Sequence, residues 1–235
     1  MLSYYMNQLK AMLYIAPGML IAISFHEFAH GYVSYKMGDP TPKRDGRLTL
    51  NPFRHLDLMG TLCLLLFHMG WAKPVRINTA CYKNKKKGTI LVSLAGPAMN
   101  FLLAFLSMLI YGLLYQYGIT HYTAIMNSST FETIYGIGLN VAYYASVINV
   151  GLGVFNLIPF PPLDGSNVLA EIVPKVKEFY FRIRRYSNLV LIVLLVTGIL
   201  SRPLGIIDHA VLNGMWSIVK SILRIGIPGT TDIYI

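Results

Sequence analysis

Long apolar runs separated by short polar, basic stretches set the layout of this chain. The first extends from about Leu9 to Tyr35, the second from about Thr89 to Tyr115 and the third from about Thr133 to Leu157. Each offers the ~20 residues that a helix needs to cross roughly 30 Å of hydrocarbon. A fourth region, from about Asn188 to Leu223, is interrupted at Ser201-Arg202-Pro203, where proline removes a helical hydrogen bond. One span plus an interfacial helix, or a hairpin, suits that break. Between the first two runs, Leu58 to Met69 is apolar but short for a span, as in a re-entrant or interfacial element. Its flanks predict extended chain: Arg47-Leu48-Thr49-Leu50 alternates polar and apolar, and Pro52 and Pro74 break helix on either side. The expected fold is therefore an all-α polytopic membrane protein, a single domain over residues 1–235. It has core helices over about 9–35, 89–115 and 133–157, a re-entrant or extended region over about 45–78, and C-terminal membrane segments over about 188–223.

Composition supports this class. Of 235 residues, 54% are hydrophobic and only 13% are charged, outside the usual profile of a soluble domain. The formal net charge of +10 is concentrated in three stretches, Lys36 to Arg54, Lys73 to Lys87 and Lys175 to Arg185, whereas Gln116 to Glu132 contains neither Lys nor Arg. By the positive-inside rule the three basic loops are cytoplasmic and the N-terminus is external. Membrane orientation thus accounts for the charge, and no nucleic-acid partner is expected. Cys63 and Cys81 form no CxxC pair and suggest neither disulfide nor metal ligand. The first run lacks a basic leader and a small-residue cleavage site, so an uncleaved membrane helix is expected.

The strongest chemical signal is His26-Glu27-Phe28-Ala29-His30, an H-E-x-x-H pattern towards the cytoplasmic end of the first run. Residues four apart share one helix face, so both imidazoles can reach one metal while Glu27 approaches a water on it. A glutamate inside an apolar helix costs about 2.5 to 3.5 kcal/mol or more, which favours a functional partner over an idle position.

A catalytic zinc site takes three protein ligands and keeps one position open. The extended soluble form of the motif fails here, because Val33 stands at its glycine position and Lys36 at its third histidine. The chain has only ten Asp and Glu residues. Asp39, Asp45 and Asp57 read as turn or cap residues, and Glu132 and Asp232 as loop or tail positions. Glu171 and Glu178 lie among lysines and arginines as in solvated ion pairs, and Asp208 beside His209 is a weaker alternative. Asp164 is favoured. It follows Asn156-Leu157-Ile158-Pro159-Phe160-Pro161-Pro162-Leu163 directly after the third run returns to the cytoplasmic side, the depth of His26 and His30.

Four segments in order, His26 to His30, Gly70 to Val75, Ser93-Leu94-Ala95-Gly96-Pro97-Ala98-Met99-Asn100, and Asn156 to Gly165, give a chain that resembles the site-2 protease family of intramembrane zinc metalloproteases. The resemblance implies a three-helix catalytic core with one zinc per chain, held by His26, His30 and Asp164, and Glu27 as general base. It also implies that Asn156 positions substrate or stabilises an oxyanion; its local alternative is a helix C-cap. Asn100 looks like a packing residue or one that supports a ligand. Implied partners are transmembrane or membrane-associated protein substrates within a bacterial or archaeal cell membrane, with the active site towards the cytoplasm. The compact form, without PDZ or CBS modules, is expected. A homo-oligomer or a regulatory membrane partner cannot be read from the sequence. The rival reading is a membrane metal transporter or metal sensor using the same ligands, which has no need of Glu27.

Overall fold

The computed structural model describes residues 2–57 and 73–225, with side chains from residue 13 onward. Eight α-helices form among them: α1 (Leu2–Lys36), α2 (Thr41–Arg44), α3 (Lys85–Thr120), α4 (Tyr122–Met126), α5 (Ser129–Asn156), α6 (Asp164–Ile172), α7 (Pro174–Val196) and α8 (Ser201–Leu223). Two of them, α3 and α5, are long and apolar enough to cross a membrane. The pair α7 and α8, bent by 77° at the expected break, adds a third if counted as one span. Helix α1 is long as well, and Ser24, His26, Glu27, His30 and Ser34 dilute its apolar character. The expected apolar element Leu58 to Met69 lies outside the described residues.

The helices outrun the apolar runs that predicted them. Helix α3 begins at Lys85 because Asn84 Oδ1 accepts from the Lys87 amide at 2.9 Å, satisfying one donor that the first turn leaves free. Three lysines there oppose the helix dipole, so the cap counts for more than propensity at this end.

The chain divides into two compact units. One gathers Met1–Met19, Phe101–Gly151 and Arg202–Ile235. Within it, Gly112 of α3 leaves room for Val219 of α8, and the Trp216 ring sits 5.5 Å from Tyr111 and 5.9 Å from Tyr115. Ser146 of α5 donates to the Ala104 carbonyl of α3 at 3.1 Å. Close approach through small residues and hydrogen bonds across helices are the contacts that hold helices together where lipid replaces water.

The second unit gathers Leu20–Asn100 and Leu152–Ser201 and holds every residue of the H-E-x-x-H and Pro-rich segments. Neither expected strand forms a ladder among the described residues. The stretch 73–78 is extended chain; its Lys73 amide donates to the His55 carbonyl at 2.9 Å, and two further amides go to carboxylates: Val75 donates to Glu27 Oε2 at 2.8 Å and Asn78 to Asp39 Oδ2 at 2.7 Å. With those donors engaged, the segment is anchored to Glu27 of α1 and to Asp39 just beyond it, without a partner strand among the described residues. His55 is fully buried in its loop, with Nε2 2.8 Å from the Thr49 carbonyl.

Asp39 is the anchor at the end of α1. It is fully buried and accepts from the Ser34 hydroxyl at 2.9 Å, the Thr41 amide at 2.9 Å and the Asn78 amide, while the Tyr82 hydroxyl donates to Ser34 at 2.8 Å. Burial opposes its charge, and the amides of Asn78 and Thr41 with the Ser34 hydroxyl outweigh it, holding the carboxyl below the usual carboxylate range. A depressed folded-state value means that its contribution is complete above the unfolded pKa and is lost as pH falls through the folded one. Asp39→Asn is therefore expected to destabilise the protein by about 2 kcal/mol or more at neutral pH. The gap from wild type should close only below about pH 4, as read from thermal unfolding across a pH series.

Candidate metal centre

Three chain segments deliver the site. Helix α1 presents His26 and His30 on one face. Helix α3 passes them with Gly96, where an added Cβ would stand 2.5 Å from His26 Cε1 and 2.7 Å from His26 Nε2, and closer still to His30 Nε2. The space beside the two imidazoles exists because that position has no side chain. Asp164 arrives as the first residue of α6, straight after the Pro-rich turn that follows α5. Gly165 sets the turn: a Cβ there would lie 2.5 Å from the Leu157 carbonyl carbon and 2.7 Å from the Ile158 oxygen. Only glycine lets α6 start against the end of α5.

Hydrogen bonds fix which nitrogen of each ring carries its proton. His30 Nδ1 lies 2.6 Å from the Val92 carbonyl, which only accepts, so Nδ1 is the protonated atom. His26 Nδ1 lies 2.6 Å from Asn100 Oδ1. The Asn100 amide is oriented by its own Nδ2, which donates to the Ala22 carbonyl at 3.3 Å, so its oxygen faces His26 and that ring too is protonated at Nδ1. Both Nε2 atoms then carry lone pairs, and they stand 3.0 Å apart. Asp164 Oδ2 is 3.3 Å from His26 Nε2 and 3.1 Å from His30 Nε2.

Three electron-rich atoms converging in a buried space repel one another unless a cation lies among them. A tetrahedral zinc with ligand bonds of about 2.0–2.1 Å places neighbouring ligand atoms roughly 3.3 Å apart, close to the spacings seen. The donor set of two imidazoles and one carboxylate, with the Gly96 cradle open beside it, therefore fits zinc. Asn100→Ala is expected to weaken metal affinity by about 10–100-fold, with helical content kept. Chelator competition on the purified protein measures it.

Glu27 stands next to His26, with Oε2 held by the Val75 amide and Oε1 without a partner among the described residues. Asn156, the last residue of α5, donates from Nδ2 to the Leu152 carbonyl one turn back at 2.9 Å. No hydrogen bond joins it to the histidines or Asp164, and its backbone is not in the left-handed region that marks a helix-ending cap. Two contributors were not legible in the sequence, the Val92 carbonyl and the Val75 amide, because every residue type offers the same backbone groups. Asn100 did carry a signal, one helical turn beyond Gly96 on the same face.

The family model for peptidase family M50 matches residues 14–198, which includes all of these side chains. The chain belongs to peptidase family M50. As an M50 member it is a zinc metalloprotease. It is 37% identical over 198 residues to YwhC of Bacillus subtilis (strain 168), covering 84% of both chains. It is 27% identical over 195 residues to Rip2 of Mycolicibacterium smegmatis, covering 80% of this chain and 68% of that one. It is 24% identical over 186 residues to MJ0392 of Methanocaldococcus jannaschii, covering 78% and 42%. All three carry the words zinc metalloprotease in their names. No solved structure matches this M50 chain.

Proposed function

We propose that the chain is a zinc-dependent intramembrane endopeptidase that hydrolyses peptide bonds of transmembrane proteins near the cytoplasmic face. The observation that carries this reading is the convergence of His26 Nε2, His30 Nε2 and Asp164 Oδ2, with Glu27 adjacent in the helix and its Oε1 without a partner among the described residues. The apolar helices α3 and α5 support a membrane setting, and the basic loops support the cytoplasmic assignment.

One zinc per chain would be held by His26, His30 and Asp164 and would supply Lewis acidity, polarising a carbonyl and lowering the pKa of water to about 7. Glu27 takes a proton from the attacking water at Oε1 as the carbon–oxygen bond forms. It returns that proton to the amide nitrogen as the carbon–nitrogen bond breaks. The Val75 amide keeps the other carboxylate oxygen in place through both transfers. Asn100 and the Val92 carbonyl hold the imidazoles with their Nε2 atoms towards the centre. Asn156 gives one amide hydrogen to the Leu152 carbonyl, and in this reading its second amide hydrogen serves the substrate.

A transmembrane substrate hides its carbonyls in intrahelical bonds and must be drawn out before attack. The extended stretch 73–78 offers backbone for that, although the Lys73, Val75 and Asn78 amides are already engaged, which leaves, among the described residues, those of Arg76 and Ile77 for an added strand.

Asp164→Ala is expected to reduce bound zinc to background and to abolish cleavage of a model transmembrane peptide. Metal analysis and peptide cleavage on the same preparation decide it. Full zinc in that variant would move the third ligand elsewhere. The acidic alternative Glu171 is engaged with Lys177 at 2.6 Å.

A further inference from the structure

A cleft of about 580 Å³ opens between the start of α3, the Pro161-Pro162 turn, α6 and the first half of α7, a size common for small-ligand sites. Its charged lining residues are Glu171, Lys177 and Arg184. Glu171 and Lys177 neutralise one another at 2.6 Å. Arg184 has no acidic partner among the described residues, so the cleft carries one uncompensated positive charge. Asn167 and Asn188 add amide groups to the wall, and the Phe181 ring lies at its edge, 79% exposed.

Helix α7 changes character at this cleft. From Lys175 to Arg185 it carries five cations and one acid, interleaved with the exposed rings of Phe179 and Phe181. From Leu189 to Val196 it is wholly apolar. Basic and aromatic residues giving way to an apolar run mark a helix passing from the headgroup layer into hydrocarbon. Lys177, Arg184 and Asn188 lie on the headgroup side of that change.

We propose that this cleft binds the headgroup of an anionic phospholipid, with Arg184 holding the phosphodiester. A phosphodiester carries a single negative charge, which matches the single uncompensated cation, and the guanidinium fork suits two phosphate oxygens at once. A zwitterionic headgroup brings a further cation, and the only acid in the wall among the described residues is already taken by Lys177. Asn167 and Glu171 stand on the helix that begins at Asp164, so an occupied cleft braces the segment that carries that carboxylate. The inference depends on α7 entering a bilayer and not on the proteolytic reading.

The test is native mass spectrometry of the detergent-solubilised protein titrated with short-chain phosphatidylglycerol, short-chain phosphatidylcholine, glycerol 3-phosphate or inorganic phosphate. Phosphatidylglycerol should be retained, phosphatidylcholine should bind about tenfold more weakly, and the two soluble phosphates should not compete. Arg184→Gln should lower phosphatidylglycerol binding by about tenfold, Arg184→Lys by less, and Lys86→Gln, a cation outside the cleft, not at all. Equal losses in Arg184→Gln and Lys86→Gln would reduce the effect to diffuse surface charge and overturn the site. Equal retention of the two lipids, or displacement by glycerol 3-phosphate or phosphate, would overturn the lipid assignment. Zinc content and peptide cleavage do not enter the readout, so failure here is distinct from failure of the proteolytic reading.

Discussion

Exchanging Glu27 for glutamine is expected to lower peptide hydrolysis by about a thousandfold or more while the zinc content of the purified protein stays at the wild-type level. Glutamine keeps the length and shape of the side chain, and its carbonyl oxygen still accepts from the Val75 amide. What it loses is the capacity to take up a proton. Because Glu27 is not among the three converging atoms, metal binding has no reason to change. The experiment also separates a hydrolase from a transporter or sensor built on the same ligands, for which this substitution should leave metal binding and metal response alike intact. Cleavage of a model transmembrane peptide, measured beside metal analysis, reads both quantities. Activity undiminished in Glu27→Gln would remove the general base from the mechanism.

Gly96→Ala is expected to abolish activity by the opposite route, through the metal. Its Cβ would occupy the space against His26 Nε2 and His30 Nε2, under 3 Å from ring atoms that have little freedom to retreat. His26 is tied to Asn100 and His30 to the Val92 carbonyl, each at 2.6 Å. One methyl group therefore forces one of those bonds to break or α3 to move away from α1. Alanine favours helix over glycine by about 1 kcal/mol, so helical content should hold while zinc falls to background. Circular dichroism with metal analysis distinguishes this from general unfolding. A Gly96→Ala protein with full zinc would show that the two helices do not approach as described.

These two substitutions mark the boundary of what the sequence made legible. Helices α1, α3 and α5 were foreseen from their apolar runs, since a long run of one polarity leaves few alternatives. Their ends were not, because Lys85 to Lys87 and Ser129, Thr130 and Glu132 are polar yet remain helical. The two strands expected around Leu58 to Met69 rested on alternation and proline. The chain at 73–78 is indeed extended, but its Val75 and Asn78 amides pair with Glu27 and Asp39, and no alternation pattern reports a side-chain acceptor distant in sequence. At the site, His26, His30 and Asp164 were singled out because their chemistry shows in their letters. The Gly96 cradle does not show, since a glycine's letter gives no hint of what stands where its side chain would be. Asn156 illustrates the converse: its letter suggested a donor for substrate, and it does not report that one amide hydrogen goes to the Leu152 carbonyl of its own helix.

The Pro-rich turn between α5 and α6 has one more consequence. Gly165 is pressed against the Leu157 and Ile158 carbonyls, so the stretch from Asn156 to Asp164 acts as a spacer of set length between a long helix and a reactive carboxylate. Adding or removing one residue there would shift Asp164 by up to about 3.8 Å, more than its distance to either imidazole. Besides Gly165 and the buried side chains of Pro161 and Leu163, the quantity under constraint in this joint is the number of residues between Asn156 and Asp164. An engineered turn of equal length that keeps those residues should preserve the centre where a single deletion would not.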